Sequence, residues 1–140
     1  MDRAILDTDT LSELLRARNA QVTAHAAIYR EQFGRFTIST FTVLEIVKGM
    51  VKAGREARIS PFLRFASSHE ILTLDTEAAE IAGRLYARLE VQGATIGRID
   101  PMIAAVALRH GLMLVTGNTS HYRRIRDLGF DLLLADWREP

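Results

Sequence analysis

Short apolar runs alternate along this chain with longer segments whose apolar residues recur at helical spacing. Residues 4–6, 36–40, 70–74 and 112–116 form such runs, and a further run at about 131–134 ends the series. Runs of this length fit strands, and the uninterrupted apolar run 112–116 fits a parallel strand covered on both faces. Strands that alternate with helices predict an α/β fold with a mainly parallel sheet of about five strands.

The segments between these runs have the periodicity and the capping residues of helices. The predicted helices cover residues 11–17, 21–32, 42–52, 56–66, 76–91, 102–108 and 120–126. Thr8, Asp9 or Thr10 is expected to cap the first helix, and Asp75 and Asp100 are the predicted N-caps of two later ones. Proline suits the first helical position, so the pair Asp100-Pro101 marks a helix start, whereas Pro61 begins or kinks its helix.

Composition excludes several classes of protein. A chain of 140 residues is the size of one domain. Since it has no cysteine, disulfide scaffolds, thiolate zinc sites and thiol nucleophiles are excluded. No apolar stretch approaches the roughly 18 residues of a membrane span, and no secretion signal is visible, so we expect a cytoplasmic protein. The net charge of +1 creates no global field, and nucleic-acid binding would need local basic clusters.

Three acidic residues fall where functional groups gather in parallel sheets, near the carboxyl ends of strands. Asp7 ends the first strand, Glu45 lies about one turn into the helix after the second, and Asp100 starts the helix that leads into the fourth. Each has a structural alternative: Asp7 and Asp100 could be helix caps, and Glu45 could face solvent beside Lys48. Carboxylates that converge without histidine or cysteine ligands favour a hard cation, Mg²⁺ or Mn²⁺.

Four short motifs occur in order along the chain. They span residues 5–14, 42–49, 99–105 and 114–122, and Asp136-Trp137 follows near the end. Together they resemble the PIN-domain ribonucleases of the VapC toxin type, over essentially the whole chain. The resemblance implies a single PIN-like domain over residues 1–140, a three-layer sandwich with helices on both faces of the sheet.

The resemblance also implies an activity. Such proteins are endoribonucleases, and they are the toxin halves of toxin–antitoxin pairs. They use Mg²⁺ or Mn²⁺, and many cut structured RNA such as tRNA. They form homodimers and are inhibited by a small antitoxin protein. By position, Asp7 and Asp100 would be the principal metal ligands, and Glu45 would complete the catalytic cluster and help activate the attacking water. The expected supporting residues are Thr8, Asp9 (where the family often has Asn), Thr116, Asn118 and His121.

His121 departs from the family pattern, because many relatives carry an acid three residues after the position of Asn118. A neutral imidazole would reduce the negative charge that faces the metal, whereas a protonated imidazole could contact phosphate. The third alternative is a surface histidine without a role. Arg123, Arg124 and Arg126 follow it and form the densest basic cluster of the chain. They are the candidate RNA-binding residues, with a solvated helix face as the alternative.

Two other functions fit parts of the pattern. A phosphoacceptor signalling domain would also be a parallel α/β protein, with Asp75 as the accepting residue, but it needs a late lysine and none follows Lys52. A PIN-like module that binds RNA or a partner without cutting would fit the loss of the acid at His121. The candidate groove for an antitoxin is the region of the first two predicted helices, with Leu11, Leu14, Leu15, Val22 and Ile28. Packing in the core is the simpler account of half of these residues.

Overall fold

A computed structural model describes residues 1–94 and 96–140 of the chain. Five short strands form the centre: β1 (Ala4–Leu6), β2 (Thr37–Ser39), β3 (Glu70–Leu72), β4 (Met113–Val115) and β5 (Leu134–Ala135). β4 pairs with β1 and with β5, β2 pairs with β3, and all three pairings are parallel. β1 also lies beside β2, which gives the spatial order β3-β2-β1-β4-β5. The predicted parallel α/β fold is confirmed, with its hydrogen-bonded ladders divided between two sheets.

In the part of the chain that the structure describes, seven α-helices surround the strands: α1 (Thr8–Arg16), α2 (Ala20–Phe33), α3 (Thr40–Lys52), α4 (Ile59–Ser67), α5 (Thr76–Val91), α6 (Asp100–His110) and α7 (Thr119–Asp127). Side chains of a strand alternate between the two faces of a sheet. Accordingly, Ile5 and Leu114 enter one apolar core with residues of α5, α6 and α7. Leu6 and Val115 enter a second core with residues of α1 to α4. The predicted arrangement of helices on both faces therefore holds, because each face of β1 and β4 has its own core.

Several local boundaries differ from the predictions. α1 begins at Thr8 instead of Leu11, because the N-cap is Asp7. Asp100 is not a cap: Ile99 holds that position, and Asp100 is the first residue of α6. The predicted helix 56–66 divides into a 3-10 turn, Glu56–Arg58, followed by α4, with Pro61 in the first turn of α4. The last strand covers Leu134–Ala135 instead of 131–134.

The end of the chain is anchored in the second core. Trp137 is 5% exposed, its ring stacks on His25, and it contacts Tyr29 and Phe36. This anchor fixes the backbone of the residues that follow β5. Among the described residues, no helix has both the length and the apolar character needed to cross a membrane.

Candidate active site

A cavity of about 400 Å³ opens beside the carboxyl ends of β1 and β4. Its lining comes from four separate segments: the turn after β1, α3, the start of α6 and the turn after β4. The lining residues are Asp7, Thr8, Asp9, Glu45, Asp100, Gly117 and Asn118. The structure therefore brings together the three acids singled out in the sequence, although nearly a hundred residues separate the first from the last.

Asp7 is the most buried of these carboxylates, at 5% exposed. Its Oδ1 accepts a hydrogen bond of 2.8 Å from the backbone N–H of Thr10 and so caps α1. Burial raises the pKa of the Asp7 carboxyl from 3.8 to about 6, and the charge of Asp9 adds to the rise, while hydrogen bonds from Thr116 and Thr10 oppose it. Asp7 is thus both a helix cap and an ionisable group whose charged form is disfavoured without a counter-charge.

Glu45 faces the cavity and not the solvent beside Lys48. Its Oε1 accepts a hydrogen bond of 2.6 Å from the hydroxyl of Thr8, which also lies 3.1 Å from the hydroxyl of Thr42. Glu45 lies on the second turn of α3, and Thr42 is one turn earlier on the same helix. Thr8 therefore joins the start of α1 to α3 and holds the Glu45 carboxylate at the cavity.

Asp100 has a partner that the sequence did not indicate. Nδ1 of His121 lies 3.1 Å from Oδ2 of Asp100 and 3.0 Å from Nδ2 of Asn118. A proton on Nδ1 would be donated to the carboxylate. His121 is therefore a neighbour of a predicted metal ligand, not an isolated surface residue.

Thr116 lies beneath the cavity and is fully buried. Its Oγ1 accepts a hydrogen bond of 2.9 Å from the backbone N–H of Asn118, and its hydroxyl interacts with the carboxyl of Asp7. The predicted supporting role of Thr116 thus has a geometric basis: it holds the turn after β4 against the buried acid.

Two further side chains reach the site and were missed by the sequence analysis. Arg138 donates a hydrogen bond of 2.8 Å from Nη2 to Oδ2 of Asp9. Tyr122 is 1% exposed, and its hydroxyl lies near the carboxyl of Asp100. Burial, followed by the charge of Asp100, raises the pKa of Tyr122. The sequence did not mark either residue as part of the site, although Tyr122 lies within the fourth motif.

The predicted RNA-binding arginines are outside the cavity. Arg123, Arg124 and Arg126 are exposed on α7, the helix that begins directly after Asn118. They share that helix with His121, so they lie on the side of the site formed by the turn after β4.

Asp75 belongs to a different part of the molecule. Its Oδ1 caps α5 by accepting from the N–H of Ala78 at 2.8 Å, and its Oδ2 lies 3.3 Å from Nε of Arg109. It is not among the residues that line the cavity. The acidic residues of the cavity therefore give no support to a phosphoacceptor site at Asp75.

The acidic residues fit a hydrated ion better than an all-protein cage. In the described residues, no three His, Cys, Asp or Glu side chains are grouped closely enough to ligate one ion together. Mg²⁺ retains several waters and needs only one or two carboxylates. A roomy cavity lined by oxygen donors, with one buried carboxylate that lacks a counter-charge, has the chemistry such an ion requires.

The residues of the candidate antitoxin groove divide between the core and the surface. Leu11 and Val22 are core residues, 0% and 1% exposed, because α1 and α2 pack their inner faces on the second core. Leu14 packs against the same core. Only Leu15 and Ile28 of the five apolar residues are exposed to solvent.

Comparison with known proteins identifies relatives along almost the whole chain. A family model described as PIN domain matches residues 4–128. The tRNA(fMet)-specific endonuclease VapC of Shigella flexneri is 32% identical over 91% of this chain and 96% of its own. The protein of the same name in Salmonella typhimurium is 30% identical over 98% and 99%.

Solved structures give the same result. The DNA-bound VapBC of Salmonella typhimurium superposes with a TM-score of 0.82 at 29% identity, over 98% of this chain and 99% of that one. VapBC-1 of nontypeable Haemophilus influenzae superposes with a TM-score of 0.80 at 25% identity, over 97% and 98%.

Proposed function

This chain belongs to the PIN-domain family and is of the VapC ribonuclease type, and from that premise we propose that it is a divalent-metal-dependent endoribonuclease. In this proposal it is the toxin of a toxin–antitoxin pair and hydrolyses RNA phosphodiester bonds at the acidic cavity. The observation that supports the site most directly is the convergence of Asp7, Glu45 and Asp100 on one cavity from three distant segments.

The proposed chemistry assigns a task to each side chain. Asp7 and Asp100 would hold a hydrated Mg²⁺ or Mn²⁺, with Asp9 as an outer acid. Such an ion would supply positive charge and lower the pKa of water near the scissile phosphate. Glu45, oriented by Thr8, would accept a proton from the attacking water as the water oxygen bonds to phosphorus. The P–O bond to the leaving oxygen breaks in turn, and that oxygen takes a proton from solvent. Thr116 keeps the turn after β4 in place, so that Asn118 can orient water or a carboxylate.

The substrate and partners follow from the relatives. Two of them are named for cleavage of tRNA(fMet), so tRNA is the first RNA to test. The superposed structures are VapBC complexes, which supports a small antitoxin protein as the inhibitor of this chain. We also propose a homodimer, for which light scattering of the purified protein is the test.

An RNA-cleavage assay with separate Mg²⁺, Mn²⁺ and chelator arms tests the activity. We expect cleavage only with metal, and a loss of at least about a hundredfold in Asp7→Asn, Asp100→Asn and Glu45→Gln. Asp127→Asn, at the exposed end of α7, is the matched control and should cut like the wild type. Full metal-dependent cleavage by all three site variants would refute the proposed site.

The non-cutting alternative rests on His121 and has its own outcome in the same assay. A PIN-like binding module would bind RNA tightly and show no metal-dependent product in any arm. Toxicity on expression that disappears in Asp7→Asn would exclude it. Relief of that toxicity by the product of a neighbouring small reading frame, together with co-purification, would establish the antitoxin.

A further inference from the structure

The guanidinium of Arg138 lies at the rim of the acidic cavity. Nη2 donates to Oδ2 of Asp9 at 2.8 Å, and Nη1 lies over the backbone of Gly117, another lining residue. The side chain is 31% exposed. A permanent positive charge therefore lies beside the carboxylates, supplied by a residue 129 positions away from Asp9.

Gly117 makes room for this guanidinium. A Cβ at Gly117 would lie 1.3 Å from Nη1 and 2.3 Å from Cζ of Arg138, and 2.9 Å from Oδ2 of Asp9. Gly117 is not among the glycines with positive φ, so its backbone could accommodate another residue. What requires glycine at this position is the space that the arginine occupies.

The backbone of Arg138 is held in place independently of Asp9. Its N–H donates a hydrogen bond of 2.9 Å to Oδ1 of Asp136, and the adjacent Trp137 is buried in the second core. The side chain thus extends from a fixed point, and Asp9 orients its far end. A planar guanidinium held in this way is prepared for an acceptor that uses its remaining N–H groups.

We propose that Arg138 binds a phosphate of the RNA strand at the rim of the cavity, with Asp9 as the acceptor that orients it. This inference rests on the proposed ribonuclease function. A guanidinium has five N–H donors in a fork that suits phosphate oxygens, and in the described part of the chain a single hydrogen bond, to Asp9, uses one of them. The cavity repels a polyanion because four carboxylates line it, and a fixed cation beside it offsets that repulsion where the strand enters.

Binding of labelled RNA in chelator tests the proposal without cleavage. The probes are a fluorescein-labelled single-stranded RNA of mixed sequence and a labelled tRNA, measured by anisotropy over a series of salt concentrations. For Arg138→Gln we expect about tenfold weaker binding, and for the single-stranded probe a salt dependence shallower by about 0.7 in log–log slope, the value for one lost phosphate contact. Arg64→Gln, which removes an equal charge on α4, should bind like the wild type.

The variant Gly117→Ala moves the guanidinium without removing its charge, so it tests whether the position of the guanidinium matters. The added methyl group displaces a flexible side-chain end, so we expect the fold to remain and RNA binding to weaken about as much as in Arg138→Gln. The double variant should bind no more weakly than either single variant. Arg138→Lys, which keeps the charge and loses the fork, should recover part of the affinity.

Three results would overturn the inference. Wild-type affinity in Arg138→Gln, in a protein that still cuts RNA, would leave the ribonuclease function intact and reduce Arg138 to a surface ion pair. Tighter RNA binding by that variant would mark the arginine as an obstacle to substrate. If Arg138→Gln had unchanged RNA affinity and altered Mn²⁺ affinity, the arginine would act only as a counter-charge for the acidic residues of the cavity.

Discussion

Replacing Asp7 by asparagine is expected to stabilise the metal-free protein at neutral pH, although the same change should abolish cleavage. The reason is the burial of the carboxylate: its charged form lies in a cavity shared with other acids, and no cationic side chain among the described residues pairs with it. Asparagine keeps a side-chain oxygen at the N-cap, where it is as favourable as aspartate. The hydrogen bond from the N–H of Thr10 can therefore persist in the variant.

The magnitude follows from the pKa of Asp7. A rise in this pKa from 3.8 to about 6 in the folded protein corresponds to about 3 kcal/mol. Because the folded state binds the proton more tightly, this stability is present below about pH 4 and is lost as the pH rises through about 6. The asparagine amide cannot accept from Thr116 in the same way, which costs about 1 kcal/mol. The expected net gain at pH 7.5 is about 2 kcal/mol, or roughly 6 °C in Tm.

Urea denaturation in chelator, at steps between pH 4 and pH 8, measures this effect. The relevant quantity is the difference in unfolding free energy between Asp7→Asn and the wild type, which should grow across the range from pH 4 to pH 6. Asp127→Asn corrects for the general effect of removing one acidic group. Adding Mg²⁺ or Mn²⁺ should stabilise the wild type and reduce the gap, because binding to the folded state raises its stability.

Two results would refute this reasoning. A variant less stable than the wild type at pH 7.5 would mean that the Asp7 carboxylate contributes favourable contacts that outweigh its burial. A stability difference independent of pH would mean that its pKa is not raised in the folded protein.

The other predictions concern single contacts. Thr8→Val removes the 2.6 Å hydrogen bond to Glu45. It should lower kcat in the RNA-cleavage assay between 10- and 100-fold, the usual effect of losing a supporting partner. An unchanged kcat would show that Thr8 has no role in the site. Asp75→Ala removes the N-cap of α5 and should lower the urea midpoint of unfolding, with the midpoint of Asp75→Asn close to that of the wild type. Trp137→Ala should cost about 3 to 5 kcal/mol in the same measurement, and a loss below about 1 kcal/mol would contradict its place in the core.

The parts of the fold that depend on short-range pattern were predictable from the sequence. The run ending at Leu6 and the run ending at Val115 are strands, because buried parallel strands are continuously apolar. The acids that follow such runs were expected at one edge of the sheet, and Asp7, Glu45 and Asp100 do line one cavity. Strand ends and the approximate start of a helix were enough to place them together.

Features decided by tertiary contact were not predictable. The pair Asp100-Pro101 is a typical helix start, yet Asp100 lies one position inside α6 and its side chain caps nothing. A cap contributes only about 1 kcal/mol, so packing can move a helix start by one residue. The contacts between Arg138 and Asp9 and between His121 and Asp100 join residues whose spacing in the sequence contains no periodic signal.

The partners of the acids explain how a chain with a net charge of +1 could offer both the proposed cation site and the proposed phosphate site. Asp7 and Glu45 are held by neutral donors, the N–H of Thr10 and the hydroxyl of Thr8. Of the acids that line the cavity, Asp9 is the one paired with a permanently charged side chain, Arg138. The inner cavity therefore keeps negative charge that attracts a divalent ion, while the rim is neutralised. Since the two charges occupy different depths, an ion and a phosphate can approach the same opening without competing for the same groups.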